Sequence, residues 1–346
     1  MKKTLLLLAA VIFLFTEVSG QTSILLKHTH RDSTYIRDYY TNHLIIRAYE
    51  SSKFNNFKFI DHTQKLVFKP NDHGYFGLGF NYRFISLNFS IYVPGLDKNT
   101  GIYGYTRSQY DLQAHLYLYK FIVDLYGQFY HGYYLSNTDA AVNNYHGDRV
   151  ETRPDINTKN ISVVCQYVFN DKRFSYNAAF YQNEIQERSA GSFLLGGGLY
   201  HTSLSGDSSL IPANIRFNDF FHNYPFNNAN NTAIGFDAGY AYTVVILKRF
   251  FVTAILSGGC GINHADLSNS NLNYNQNRYG PELNLTERLA VGYNTDKYFA
   301  GLTYIRLVTE NCAIDPGTWQ EVNTGNFRLT VARRFRLKKA LLPGQN

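Results

Sequence analysis

Apolar and polar residues alternate along residues 110–118 of the 346-residue chain, so that one face of this segment is apolar or aromatic and the other is polar. Residues 121–130 repeat the alternation after a tight turn. A period of two is typical of a β-strand with one face in an apolar environment. Each segment has about ten residues, the length with which a tilted strand crosses a bilayer. The pattern predicts a membrane-crossing hairpin, with Leu116 and Val123 facing lipid and Asp124 facing the interior.

The same alternation recurs in further segments that are rich in Tyr and Phe. They cover residues 44–50, 56–60, 65–70, 74–84, 85–92, 160–169, 174–182, 191–201, 234–246, 249–260, 282–292, 298–309 and 325–335. Short polar turns separate some of them, at 83–85, 170–173, 248–249 and 294–296, and long polar segments separate others, at 93–108, 131–159, 202–233 and 261–281. Short turns on one side of the membrane and long loops on the other are typical of outer-membrane proteins. We therefore predict an all-β fold, a transmembrane antiparallel up-and-down β-barrel of about 12–14 strands.

The order of turns and loops leaves one step of this topology open. If residues 83–86 and 119–120 form periplasmic turns, simple alternation places the long segment 202–233 on the periplasmic side as well. An extra crossing near residues 210–217 would restore the expected order, and so would a segment that folds into the lumen. The sequence leaves both solutions open.

The N-terminal residues have the features of a cleaved export signal. Lys2 and Lys3 precede an apolar run over residues 5–15, and Ser19 and Gly20 form a small-residue cleavage site. The predicted organisation is a signal peptide over 1–20, an irregular segment over 21–42, an outer-membrane barrel over 43–336 and a basic tail over 337–346. Beyond the signal the chain has no run of about 18 uncharged apolar residues, so no transmembrane helix is predicted.

Composition agrees with a barrel and disfavours other classes of protein. Hydrophobic residues make up 45% of the chain, although its mean hydropathy is slightly negative. A helical membrane protein would have a positive mean hydropathy, whereas a barrel alternates lipid-facing and polar residues. The chain has 29 Tyr, a residue that suits the membrane–water boundary because its ring is apolar and its hydroxyl is hydrated. A secreted soluble β-sandwich is the alternative fold for such a chain.

The net charge and the cysteines indicate which partners, metals and cofactors the sequence predicts. The net charge of +7 becomes +6 once the signal leaves, because the signal carries two lysines and one glutamate. The sequence has no basic helix or aromatic RNA-binding signature, so nucleic acid is not a predicted partner. The predicted partners are the lipid bilayer and lipopolysaccharide, and a protein partner is left open. Cys165, Cys260 and Cys312 have no metal-ligand spacing, and no metal or cofactor is predicted.

Several segments, taken together, resemble an exported bacterial family that is classed as a domain of unknown function. They are 32–36 (DSTYI), 44–49 (LIIRAY), 124–130 (DLYGQFY) with 132–134 (GYY), 189–196 (SAGSFLLG) and 239–243 (GYAYT). The resemblance spans most of the chain after the signal. It implies an outer-membrane barrel and brings no known activity, substrate or catalytic residue.

His201 and Ser203 form the one pair whose spacing has a catalytic precedent. Residues two apart on a strand face the same way, so the imidazole can deprotonate the hydroxyl, as in barrel-embedded lipid hydrolases. Asn214 or Asp207 is the candidate for the third group, which would orient the imidazole. Leu204 follows the serine where those hydrolases carry further polar residues. A polar pair at the end of a strand is therefore the competing interpretation.

Charged residues on the predicted inward faces form a second candidate site. Asp111, His115, Asp124, Arg288 and Arg306 could bind a ligand in the lumen or set solute selectivity. Polar groups inside a barrel also form hydrogen bonds and ion pairs with one another. The competing interpretation is that these residues have only this structural role. The two aspartates in addition invite comparison with barrel proteases, which need paired carboxylates near the extracellular rim.

The sequence therefore predicts location and shape more sharply than activity. We expect an outer-membrane β-barrel that acts as a passive pore or solute channel, or as a structural component of the envelope, and that is not an enzyme. The alternative is a barrel-embedded lipid hydrolase that uses His201 and Ser203.

Overall fold

The computed structural model describes residues 31–39, 43–61, 64–70, 74–82, 85–93, 108–118, 120–142, 150–213, 215, 226–269, 272, 274–315 and 317–337. The strands in these ranges are β1 (Ile36–Asp38), β2 (His43–Asp61), β3 (Gln64–Lys69), β4 (Gly74–Tyr82), β5 (Ile85–Tyr92), β6 (Ser108–Leu118), β7 (Phe121–Leu135), β8 (Thr152–Val168), β9 (Glu184–Gln186), β10 (Ala190–Ser205), β11 (Asn228–Ile246), β12 (Phe250–Asn269), β13 (Tyr274–Asn294), β14 (Tyr298–Asp315) and β15 (Thr318–Arg336). Two short helices are α1 (Thr138–Ala141) and α2 (Tyr176–Phe180). Neither is long or apolar enough to span a membrane. The predicted signal peptide, 1–20, lies outside the described residues.

The main sheet is antiparallel and closes on itself, because the last strand, β15, pairs with β2 from Thr318↔Asp61 to Arg336↔His43. From β15 the order of strands runs back through β14, β13, β12, β11, β10, β8 and β7, and β3 links β7 to β2. β3 and β4 pair with the same edge of β2, one after the other, and act as a single interrupted strand. β5 pairs with β4, and β6 pairs with β7. The sheet contains 13 strands, and the predicted all-β transmembrane barrel is confirmed.

Side chains alternate between a buried and an exposed position along the long strands, as the sequence pattern predicts. The predicted hairpin is present, with Leu116 opposite Val123 and His115 opposite Asp124. Asp124 is buried in the lumen, whereas Leu112 on the other face is exposed. The exposed face carries a broad belt of large apolar side chains. It includes Phe193, Leu195, Leu199, Ile234, Phe236, Val252, Leu256, Ile262, Leu289, Val291, Leu329 and Val331.

The two mouths of the barrel differ. We call the mouth where β2 begins and β15 ends the terminal mouth, and the opposite one the loop mouth. The terminal mouth has short turns at 247–249 and 295–297. At the loop mouth β14 and β15 are separated by only two residues, but the longest separations between consecutive strands are also there, between β7 and β8 and between β10 and β11. The predicted strand over 174–182 is wrong, because this segment forms α2 and turns inside the terminal mouth. Removing that crossing restores the order of turns and loops, so a segment in the lumen, rather than an extra crossing, resolves the topology.

Helix α2 belongs to a plug that fills the terminal mouth, which we define as residues 31–39 and 170–188. Ser175 caps the helix, since its hydroxyl accepts a hydrogen bond from the N–H of Ala178. Strand β1 of the plug pairs with β9, and the pair forms a separate two-stranded sheet. All five residues of α2 are buried, so the helix has no solvent-facing side. A helix that is buried all round has no amphipathic period, which explains why its sequence resembles a strand.

The wall makes room for the plug with small inward side chains. Ala190, Ala241, Ala290 and Ala332 come from four different strands and line the mouth where α2 sits. Larger inward residues complete the layer around Phe174, Tyr176 and Phe180; they are Ile45, Ile122, Val168, Leu194, Phe251, Ile255 and Phe299. The apolar layer therefore crosses the whole lumen at the terminal mouth.

A second apolar layer crosses the lumen near the loop mouth. Inward rings of β2 and β3 stack there, with the centroids of Phe57 and Phe68 4.7 Å apart. Phe226, from the β10–β11 connection, lies edge-on to Phe59 at 5.7 Å. Leu210, Ile211 and Ile215 of the same connection are buried in this layer together with Ala141 and Val142. The lumen is thus covered at both ends by packed side chains.

Candidate functional site

Three buried arginines of the wall hold the plug. Arg47 on β2 donates a hydrogen bond to the side-chain oxygen of Gln182 at 3.3 Å, and Arg334 on β15 donates to the backbone oxygen of Gln182 at 2.8 Å. Arg288 on β13 donates to the phenolic oxygen of Tyr176 on α2. Guanidinium groups suit this role because each presents several donors in a fixed plane. The candidate site is therefore the contact between plug and wall.

Arg288 is the centre of the deepest part of this site. Its guanidinium pairs with the carboxylate of Asp124 on β7, and both side chains are 1% exposed. The other carboxylate oxygen of Asp124 lies 2.6 Å from Nδ1 of His115 on β6. The rings of His115 and Tyr181 lie edge to face, 6.2 Å apart, so the cluster also contacts the plug. The structure therefore brings three of the predicted lumenal residues together, and they contact one another and the plug.

The two parts of the plug, residues 31–39 and residues 170–188, are fastened to each other by buried polar contacts. Arg31 pairs with Glu184 at 3.1 Å, with side chains 7% and 0% exposed, and it donates to the backbone oxygen of Asp171 at 2.9 Å. The hydroxyl of Ser175 donates to the same glutamate. A buried carboxylate requires such donors because burial removes its hydration. The segment predicted as irregular over 21–42 therefore includes an ordered arm, residues 31–39.

The outer edge of the arm contacts the β13–β14 turn. The hydroxyl of Tyr39 donates to Asp296 at 2.6 Å, and Arg37 pairs with Asp296 at 2.5 Å and with Glu187 at 2.6 Å. The hydrogen bond from Tyr39 and the charge of Arg37 lower the pKa of the Asp296 carboxyl. Burial, together with the acceptor Asp296, raises the pKa of Tyr39 to about 12. The outer edge of the arm is therefore attached by charged groups that remain accessible to solvent, in contrast to the buried pair of Arg31 and Glu184.

Asp111 lies apart from this cluster. It accepts hydrogen bonds from Gln128 at 3.0 Å and Tyr130 at 3.3 Å, and Lys53 lies 3.6 Å away. Asp111 and His115 are four residues apart on β6, and His115 stands opposite Asp124. The two aspartates are therefore separated by roughly 13 Å along the strands. Each carboxylate has its own partners, and the arrangement differs from the paired carboxylates that a protease needs.

Arg306 faces outward, not inward as predicted. Its neighbours Thr303 and Ile305 on β14 point into the barrel, so residue 306 points to the outer face. There it pairs with Glu287 at 3.1 Å and donates to Asn323 at 3.0 Å. The prediction assumed that a charged side chain belongs in the lumen. An ion pair on the outer face violates that assumption.

His201 and Ser203 share the outer face near the loop mouth, and Thr202 between them points inward. Nδ1 of His201 lies 2.9 Å from the hydroxyl of Thr232 on the neighbouring strand, and this is the hydrogen bond that the imidazole makes among the described residues. Asn214 lies outside the described residues. Asp207 donates its backbone N–H to Asp155 at 3.2 Å. The geometry brings neither serine nor carboxylate to the imidazole, so the catalytic role of this pair stays a prediction.

The lumen between the two apolar layers is filled by polar side chains that bond to one another. Gln166 donates to Asp237 at 2.5 Å, and Asn231 donates to Gln320 at 2.8 Å. A cavity of about 20 Å³ lies beside Gln128, Asn160, Ser162, Tyr200, Thr202 and Thr324, with room for about one water molecule. Across the described ranges no group of three or more His, Cys, Asp or Glu side chains is placed to hold a metal ion.

Sequence reasoning missed Arg47 and Arg334. A signal for Arg47 was present, since it alternates with Ile45 and Tyr49 on the face of β2 that the apolar pattern assigns to the interior. Arg334 lies in a run of basic residues, where the pattern favours a solvated end of the barrel. Its inward position follows from the alternation of β15, in which Ala332 and Thr330 are also buried.

Comparisons with known proteins found a matching family model and similarity to solved bacterial outer-membrane proteins. A family model described as a domain of unknown function matches residues 30–335. The outer-membrane protease OmpT of Escherichia coli is 8% identical, with 85% of this chain and 97% of that chain covered and a TM-score of 0.38. The translocator domain of the autotransporter NalP of Neisseria meningitidis is 11% identical, with 94% and 96% covered and a TM-score of 0.31. Ail, the attachment invasion locus protein of Yersinia pestis, is 10% identical, with 84% and 98% covered and a TM-score of 0.20. No protein with a curated description matches this sequence.

Proposed function

The chain belongs to the DUF4421 family, a domain of unknown function, and we propose that it is an outer-membrane β-barrel with a sealed lumen that serves as a structural component of the bacterial envelope. In this role the barrel presents its outer wall and its loop mouth, and it does not conduct solutes in its resting state. The proposal selects the structural role from the two that the sequence left open, the other being a passive pore.

The outer surface supports a membrane location. Large apolar side chains stand on the outer face of neighbouring strands, and Phe236 and Leu256 are more than half exposed. Such a belt is unfavourable in water and matches the hydrocarbon layer of a bilayer. The longer β7–β8 and β10–β11 connections favour an orientation in which the loop mouth faces the cell exterior and the terminal mouth faces the periplasm. Lys65 and Lys159 are exposed toward the loop mouth, where lipopolysaccharide phosphates would be accessible.

The observation that carries the sealed role is the pair of apolar layers across the lumen. A passive pore needs a continuous water-filled path, which a packed apolar layer excludes. At the terminal mouth α2 is surrounded by inward residues of many strands. Arg288 bonds to α2, and Arg47 and Arg334 bond to Gln182 of the plug. At the loop mouth Leu210 and Phe226 are fully buried among the rings of β2 and β3.

Conductance across planar bilayers tests this proposal. We expect the purified, folded protein to give no stable conductance steps, because both layers block ions. The double variant Arg47→Ala, Tyr176→Ala loosens the plug and should still give little current, since the loop-mouth layer persists. Additional Leu210→Ser and Phe226→Ser substitutions should then raise the conductance. Stable steps from the wild-type protein, of the size that open porins give, would overturn the sealed role.

The membrane location has its own test. Mature protein should fractionate with outer membranes and show heat-modifiable migration on gels, because closed barrels resist detergent unfolding at low temperature. Recovery as a soluble periplasmic species would contradict the location and leave the sealed lumen without a function in the envelope.

A further inference from the structure

The outer face of β14, β15 and β2 interrupts the apolar belt with charged residues. Arg306 donates there from Nη1 to Glu287 and from Nε to Asn323, and its Nη2 makes no hydrogen bond to the described residues. Glu50 on β2 is exposed on the same face, and it makes no ion pair within the described ranges. On β12, in contrast, the outer face is apolar at Val252, Leu256 and Ile262. We call this part of the described wall, charged on β14 and β2 and apolar on β15, the polar sector.

The charged residues of this sector lie at the level of the hydrocarbon layer. Arg306 is eight residues from Tyr298, where β14 leaves the terminal mouth, and Glu50 is six residues from Leu44 on β2. A tilted strand rises roughly 2.5 Å per residue along the membrane normal. Both residues therefore lie roughly 15–20 Å above the terminal mouth, within the hydrophobic band of roughly 25 Å that such barrels have.

Charges at this depth are unfavourable when they face lipid. Arg and Lys near the midplane of a barrel destabilise the inserted state, and a carboxylate does so to a smaller extent. Glu287 compensates part of the charge of Arg306, whereas Glu50 forms no ion pair with any described residue. Polar residues within a membrane typically face a protein surface or water rather than lipid. The sector has the chemistry of a buried protein contact.

The positions of the two charges on the barrel wall fit a twofold axis along the membrane normal. β15 lies between β14, which carries Arg306, and β2, which carries Glu50. A twofold rotation about an axis beside β15 brings β14 of one copy against β2 of the other and preserves every residue's height. Arg306 of each copy then faces Glu50 of the other copy, while Phe327 and Leu329 of β15, each about half exposed, meet near the axis.

We propose that the protein forms a symmetric dimer in the membrane through β14, β15 and β2, with Arg306 of each copy paired to Glu50 of the other. The proposal rests on the membrane location proposed above. The apolar centre of β15 supplies the area that two copies bury. The two intermolecular ion pairs supply register, since sliding one copy along the normal separates opposite charges. The difference in height between the two residues is about 5 Å, within reach of an arginine side chain.

Charge reversal tests the pairing in lipid nanodiscs, with mass measured on protein that shows heat-modifiable migration. The wild-type protein should be a dimer. Glu50→Arg places two arginines together at both contacts and should raise the dimer dissociation constant by at least about tenfold. The triple variant Glu50→Arg, Glu287→Arg, Arg306→Glu reverses every charge and keeps each opposite-charge contact. It should restore the dimer, which a merely destabilised barrel would not do.

Cross-linking locates the interface. In a background with Cys165, Cys260 and Cys312 replaced by serine, Phe327→Cys should form a disulfide-linked dimer. Phe236→Cys, on β11 and 73% exposed, is the matched control and should remain monomeric. A monomeric wild-type protein, equal cross-linking of the two variants, or cross-linking of position 327 to a different protein would overturn the proposal. These outcomes leave the membrane fraction and the conductance unchanged, so a failure of the dimer is distinguishable from a failure of the proposed function.

Discussion

Asp124 on β7 and Arg288 on β13 form an ion pair across the lumen, with both side chains 1% exposed. Four strands, β8, β10, β11 and β12, separate them along the sheet, so the pair bridges distant parts of the wall. Because burial removes water from both charges, each depends on the other for its stabilisation. Arg288 also donates to Tyr176, so the same guanidinium fixes the wall and the plug.

Removal of one partner of this pair should be strongly destabilising. Arg288→Met removes the guanidinium that neutralises the buried Asp124 carboxylate, and we expect a loss of about 3–5 kcal/mol in the free energy of unfolding. The double variant Asp124→Leu, Arg288→Met removes both charges and should recover most of that loss. Urea unfolding in detergent micelles measures both.

The matched control for this prediction is Arg173→Met. Arg173 pairs with Asp32 at 3.5 Å, and its side chain is 57% exposed. An exposed pair contributes at most about 1 kcal/mol. Equal losses for Arg173→Met and Arg288→Met would contradict the central role of the buried pair.

The lipid-facing belt predicts different effects for two exposed leucines. Leu256→Arg places a charge within the belt and should cost about 2–4 kcal/mol if it lies near the midplane. Leu247, 82% exposed, lies in the turn between β11 and β12, and Leu247→Arg should change the free energy of unfolding by less than about 0.5 kcal/mol. Unfolding in lipid vesicles measures both variants, and similar costs would argue against the assigned belt.

The alternation of side chains was enough to predict the wall. It placed Leu116 and Val123 on the outer face and Asp124 on the inner face, because a period of two fixes the face of every residue in a strand. The plug was not predictable in this way. Residues 174–182 are short and apolar, and a buried helix of that length cannot be distinguished from a strand by its period.

The positions of charged residues predicted the candidate site less well than the alternation of side chains predicted the wall. Arg288 and Arg306 are both arginines within strands of similar pattern, yet one is buried in the lumen and the other lies on the outer face beside Glu287. The sequence around Arg306 carries apolar residues on both faces, so the alternation does not fix its direction. The contacts of Arg47 and Arg334 with the plug depend on where α2 folds, which is a tertiary property.

Attachment of the N-terminal arm should weaken in acid. The pKa of Asp296 is lowered by the hydrogen bond from Tyr39 and by Arg37, so its contribution is fully present above the ordinary aspartate pKa of about 3.9. The contribution is lost as the pH falls through the lower pKa of the folded state. Hydrogen exchange of residues 31–39 between pH 7 and pH 3 should show this loss.

Asp296→Asn separates the effect of this carboxylate from that of Asp32 and Asp38 in the arm and of Glu187, which pairs with Arg37. In this variant the arm should be less protected at pH 7, and the further loss in acid should be smaller than in the wild-type protein. An identical pH profile for both proteins would mean that Asp296 does not hold the arm.

The same contact predicts weakening in alkali. Tyr39 keeps its proton in the folded state up to a pKa of about 12, whereas the unfolded phenol ionises near pH 10. The stabilisation is therefore present below about pH 10 and declines as the pH rises toward about 12. Tyr39→Phe removes the titrating group, so protection of the arm in this variant should not change across that window. Hydrogen exchange at pH 9 and pH 11 distinguishes the two proteins.

The predicted hydrolase pair has a direct test in lipid turnover. His201 bonds to Thr232 rather than to Ser203, so nothing in the described part of the chain activates the serine as a nucleophile. We expect purified protein to release no fatty acid from labelled phospholipid or lipid A. Ser203→Ala and His201→Ala should fold normally and should likewise release no fatty acid. If turnover did occur, a nucleophile and its base would act as one unit, and both substitutions would abolish it to a similar depth. Such a result would establish the catalytic interpretation and require His201 to leave Thr232 when substrate binds.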